Sequence, residues 1–92
     1  MLEEIVLDIE KSALDLILET RKKQGMSELA LGEAAFPGNK NPQSKIHAMW
    51  NMKTASNKSL RLRLGDYCAM CRALGLSPSE ELAIILRASE NK

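Results

Sequence analysis

The chain has 92 residues, with 13 Lys and Arg against 12 Asp and Glu, so it has room for one small domain at a net charge of +1. Its apolar residues are mostly Leu, Ile, Ala and Met, with one Val and three aromatics, a set that favours helix over sheet and predicts an all-α fold. Acidic residues from Glu3 onward exclude a signal peptide, no apolar run nears membrane length, and two cysteines fit free thiols in a reducing cytoplasm.

Leu2 to Gln24 reads as one long helix, stopped by Gly25, with Arg21, Lys22 and Lys23 complementing the dipole of its last turn. At 100° per residue it carries two apolar stripes. Leu2, Ile5, Val6, Ile9, Ala13, Leu16 and Ile17 form the first; Leu7, Leu14 and Leu18 form a second, roughly 140° away. One stripe packs on the helix's own domain. The other needs the C-terminal helix or a second subunit, so Leu7, Leu14 and Leu18 are candidate dimer or partner contacts.

Met26 to Phe36 is a short second helix with Ser27 as N-cap and Leu31, Ala34 and Ala35 facing inward. Gly32 within it costs about 1 kcal/mol against Ala, which points to a close helix–helix approach. Pro37-Gly38 breaks the chain. Asn41-Pro42 then starts a third helix, with Asn41 as N-cap and Pro42 at the first helical position. That helix turns Ile46, Met49 and Trp50 inward and presents Gln43, Ser44, Lys45, His47 and Ala48, none of them acidic.

Asn51 to Ser59 is a polar loop. Leu60 to Leu64 alternates strictly and reads as an extended lead-in, although Leu60, Leu64, Cys68 and Cys71 also fit a helical stripe. A fourth helix runs from about Gly65-Asp66 to Leu74 and stops at Gly75. Ser77-Pro78-Ser79-Glu80 is a capping box opening a fifth helix, with Leu82, Ile85 and Leu86 inward.

Charge is unevenly placed along this order. Residues 1–36 are net −4, residues 37–72 net +6 and residues 73–92 net −1. No acid interrupts the basic middle between Glu33 and Asp66, and this asymmetry points to a polyanionic partner. Cys68-x-x-Cys71 lacks a second cysteine pair for zinc and a βαβ setting for redox work, so both read as core residues. His47 is the sole histidine and has no nucleophile beside it in sequence. Neither an enzyme, nor a metal site, nor a cofactor is expected.

Two blocks carry a resemblance. Ile17, Arg21, Gly25-Met26-Ser27 and Leu31 form the first; Leu64 to Ser77, LGDYCAMCRALGLS, forms the second. Over residues 13–88 the chain resembles the lambda-repressor-like helix-turn-helix domain of the XRE family. The resemblance implies a single five-helix domain over residues 1–92, with an N-terminally extended first helix and a helix-turn-helix at about 27–51. It departs from the family pattern in a longer turn from Phe36 to Asn41, in Glu28 where Gln is common, and in Trp50 where an acid can pair with the Arg of the first helix.

By that resemblance, Gln43, Ser44, Lys45, His47 and Ala48 occupy base-reading positions, with Gln43 suited to adenine and Ala48 to a thymine methyl. Lys40, Lys53, Lys58, Arg61 and Arg63 flank the helix where phosphates would run. The expected function is sequence-specific binding of double-stranded DNA by a bacterial or phage transcriptional regulator acting as a homodimer. The alternative is a helical protein-interaction module, antitoxin- or adaptor-like, that binds a partner through the two-striped first helix.

Overall fold

The computed structural model describes residues 2–52 and 59–90, without the side chains of residues 2 and 3. Five helices and no β-strand occur among them: α1 (Leu2–Lys23), α2 (Glu28–Ala35), α3 (Pro42–Asn51), α4 (Leu64–Ala73) and α5 (Pro78–Glu90). No helix among the described residues is long and apolar enough to cross a membrane.

The helix ends follow from local chemistry. Gly25 and Gly75 take positive φ, at 69° and 76°. After α1, the Gly25 N–H donates to the Lys22 carbonyl and the Met26 N–H to the Arg21 carbonyl. After α4, Gly75 and Leu76 repeat the pattern toward Arg72 and Cys71. Both are Schellman stops, in which a left-handed glycine turns the chain so that orphan carbonyls are satisfied. Ser27 caps α2 by accepting from the Ala30 N–H at 3.0 Å. Asn41 precedes α3 as expected, but its side chain makes no capping bond. The Asn41 N–H instead donates to Asn39 Oδ1 at 2.8 Å, inside the turn. The extended segment ends one residue earlier than the sequence suggested, since α4 begins at Leu64, which is exposed and takes no part in a core stripe.

One core joins the first four helices. Ala13, Leu14 and Ile17 of α1 meet Leu31 of α2, Ile46 and Met49 of α3, Tyr67, Met70 and Cys71 of α4, and Leu74 at the C-cap of α4. Leu82 and Ile85 of α5 pack against its edge. Leu86, expected inward, is exposed, as is Ala34 of α2.

The two stripes of α1 are covered in an unexpected way. Leu14, offered above as a dimer or partner contact, is only 4% exposed and belongs to the core. Leu14 and Leu18 line a cleft of about 260 Å³ together with Trp50 and Met52 at the C-terminal end of α3, whereas Leu7 is half-buried outside it. The N-terminal half of α1 extends past that core and packs on α5, leaving Ile5 and Val6 of the first stripe exposed. A 22-residue helix is roughly 33 Å long, more than one small core can cover.

Long-range polar contacts fasten the helices to one another. Gln24 Nε2 donates to the Leu74 carbonyl at 2.7 Å, joining the ends of α1 and α4. Tyr67 Oη donates to the Pro78 carbonyl at 2.8 Å, joining α4 to the start of α5. Locally, Arg21 Nη1 donates to the Met26 carbonyl at 2.9 Å, tying the end of α1 to the turn that follows it.

Candidate nucleic-acid interface

α3 is aimed by its approach to α2. A Cβ built on Gly32 would lie 2.8 Å from the Pro42 carbonyl oxygen and 2.9 Å from its carbon, so only glycine lets the two helices meet this closely. The turn between them is longer than a tight helix-turn-helix but well bonded. The Phe36 N–H donates to the Gly32 carbonyl at 2.8 Å, and the Asn39 N–H to the Phe36 carbonyl at 3.0 Å.

From this seat α3 buries Ile46 and Met49 and half-buries Trp50. Gln43, Ser44 and His47 face outward and are exposed, while Lys45 and Ala48 are half-buried. With Pro42 in its first turn and no side-chain cap, α3 opens toward solvent at its positive end.

Two cations of the basic stretch are engaged within the chain. Lys45 Nζ lies 3.6 Å from Asp66 Oδ2 and 4.6 Å from the centroid of the Phe36 ring. An ion pair together with a cation–π contact makes Lys45 a strut between α3, the turn and the first turn of α4. Arg61 forks onto the Glu10 carboxylate: its Nε is 3.0 and 2.9 Å from the two oxygens, and Nη2 contacts Oε2 as well. The Leu62 N–H donates to Glu10 Oε1 at 2.8 Å. These bonds hold the Glu10 carboxyl below the usual range, with the Arg61 hydrogen bonds as the largest cause. Arg61 thus fastens the 60–63 segment to α1.

Lys40 and Arg63 are exposed and have no ion-pair partner among the described residues. Lys40 lies two residues before α3. Arg63 occupies the N-cap position of α4 without a side-chain capping bond, three residues before Asp66, whose contact with Lys45 ties that turn to α3. Lys53 and Lys58 lie outside the described residues.

Glu28 at the start of α2 approaches His47 of α3. Its Oε2 is 3.7 Å from His47 Nδ1. Glu10, Asp66 and Glu28 join this surface only through their folded contacts with Arg61, Lys45 and His47. Glu10 and Arg61 are 51 residues apart, and nothing in a linear pattern pairs them.

The cysteines sit away from this surface. Cys71 is fully buried and Cys68 half-buried, both against the core. Burial pushes the Cys71 thiol up, which keeps it protonated and unreactive. Tyr67 beside it is raised too, first by burial and then by its hydrogen bond with Cys71. No cluster of three metal-ligating side chains occurs among the described residues.

No family model, curated protein or solved structure matches the chain.

Proposed function

We propose that the protein binds double-stranded DNA in a sequence-dependent manner, as a transcriptional regulator of lambda-repressor-like helix-turn-helix type. One observation carries the reading: α3 is anchored by the buried Ile46 and Met49, while Gln43, Ser44 and His47 are exposed on its outer face, with Lys40 before it in the chain and Arg63 on the segment tied to it by Lys45 and Asp66, both unpaired among the described residues. A helix of this kind fits the major groove, where polar side chains meet base edges and flanking cations meet phosphate.

In this reading Gln43 pairs with adenine, Ser44 and His47 contact neighbouring base edges, and Ala48 lies beneath them as a small contact surface. Lys40 and Arg63, together with Lys53 and Lys58 of the polar loop, supply phosphate contacts. Lys45 and Arg61 serve the interface indirectly, because their internal partners hold α3 and the 60–63 segment in place. The open first turn of α3 adds backbone N–H groups suited to a phosphate oxygen.

Selection of bound sequences from a random duplex pool tests the reading. The parent protein is expected to enrich a defined motif. Gln43→Ala is expected to lose discrimination at one position, worth about 1–3 kcal/mol, while retaining affinity for random DNA. A pool that stays random after repeated selection would overturn sequence-specific binding. A second reading, a helical protein-interaction module, draws on the exposed Ile5 and Val6 of α1. It predicts no affinity for DNA even at low salt.

A further inference from the structure

His47 stands on the outward face of α3, with its side chain 68% exposed. Its Nδ1 lies 3.7 Å from Oε2 of Glu28, whose own side chain is 26% exposed. Glu28 is the first residue of α2, directly after the Ser27 cap, where a carboxylate interacts favourably with the positive end of the helix. The close approach of Gly32 to Pro42 fixes α2 against α3, so the two side chains face each other across that contact.

Among the described residues, Glu28 is the one ion-pair partner of the imidazole. On α3, the positions three and four residues from His47 are Gln43, Ser44, Trp50 and Asn51, all uncharged. Lys45 is drawn to Asp66 of α4. Glu33, the other acid of α2, is exposed and makes no ion pair among the described residues, and Lys40 and Arg63 make none either.

This arrangement has a chemical consequence for the free side of the ring. At 3.7 Å the contact is longer than a hydrogen bond, so Glu28 acts through its charge. A negative charge beside Nδ1 favours the tautomer with its proton there and leaves Nε2, across the ring, as an acceptor. Histidine changes charge between about pH 5 and 8, and the proton it takes up at Nε2 turns that atom into a donor. Base edges distinguish the two states. An acceptor meets the amino group of adenine or cytosine, whereas a donor meets N7 or O6 of guanine. We propose that Glu28 is a positioning residue that sets the tautomer of His47, so that His47 reads an amino-bearing base when neutral and guanine when protonated. Sequence preference then changes with pH at one position. The base preference rests on the DNA-binding reading, and the tautomer does not.

Two measurements on the full chain test the proposal. His47 is the sole histidine, so the ring nitrogens seen by NMR are its own. At about pH 8 the parent is expected to show a protonated Nδ1 and a lone pair on Nε2. Glu28→Gln, which keeps the shape and removes the charge, is expected to shift both nitrogens toward a mixture of tautomers. A parent with its proton on Nε2, or a spectrum unchanged in Glu28→Gln, overturns the positioning role. Selection from a random duplex pool at about pH 8 and about pH 5.5 reads the base preference. The parent is expected to enrich adenine or cytosine at one position at the higher pH and guanine there at the lower. His47→Gln is expected to enrich the same base at both, and Glu28→Gln to lose the preference at the higher pH alone. A parent motif identical at the two pH values overturns the change of base. A pool that stays random at both contradicts the DNA reading and the base preference with it, while the imidazole spectrum still decides the role of Glu28.

Discussion

Gly32 carries more of the interface geometry than any residue that would touch a base. Helix propensity alone would favour Gly32→Ala by about 1 kcal/mol. Here the new methyl would meet the Pro42 backbone at 2.8 Å, and backbone yields less readily than a side chain tip. Overpacking of this kind costs about 1–3 kcal/mol, so the substitution is expected to lower the melting temperature and to shift α3 relative to α2. Thermal unfolding by circular dichroism checks the sign; a rise in Tm would contradict the close approach. Glu10 is the second residue with a defined consequence. Its carboxyl is held below its ordinary value of 4.5 in the folded chain, so the Arg61 and Leu62 contacts stabilise the fold fully above that value. That contribution is lost as pH falls through the lower, folded value. Glu10→Gln is therefore expected to be less stable than the parent at neutral pH, with the gap closing below pH 4.5. Urea titrations at neutral and acid pH measure it, and a gap independent of pH would contradict the assignment.

Among the elements, α4 is the hub, since it contributes three core residues, is followed by a fourth at its C-cap, Leu74, and contacts α1, α2 and α5. Its link to α5 is narrow: Tyr67 Oη on the Pro78 carbonyl, plus the packing of Leu82 and Ile85. Tyr67→Phe is expected to cost about 1 kcal/mol, seen as a lower urea midpoint at unchanged slope. A midpoint equal to the parent's would show that water replaces the bond without loss. The ends of these elements were legible in the sequence because they are local. Gly25, Gly75, Ser27 and Pro42 act within one turn of themselves, and each lies within a residue or two of where it was expected. The stripes of α1 were legible as stripes, but what covers them was not. Leu14 and Leu18 line one cleft with Trp50 and Met52, more than thirty residues away, and a helical wheel carries no information about distant neighbours. The same limit applied to the polar residues. The outward positions Gln43, Ser44 and His47 follow from the periodicity of α3, whereas the internal engagement of Lys45 and Arg61 depends on the folded approach of Asp66 and Glu10.

At the scale of the whole molecule, a formal charge of +1 understates the basic middle of the chain, and the folded arrangement then narrows it. Two cations are drawn into struts, so the proposed phosphate contacts number four: Lys40, Lys53, Lys58 and Arg63. The exposed Ile5 of α1 and Ile84 of α5 lie on helices other than α3. Counterion release offers the most direct test of this arrangement. Fluorescence anisotropy of a labelled random duplex, titrated with the full chain at several salt concentrations, reads the number of phosphates engaged. Four contacts at about −0.9 each predict a log–log slope of about −3 to −4 per protein chain bound, reduced by about one in Lys40→Ala and again in Arg63→Ala. No binding at low salt, or binding indifferent to salt and to both substitutions, would contradict the account.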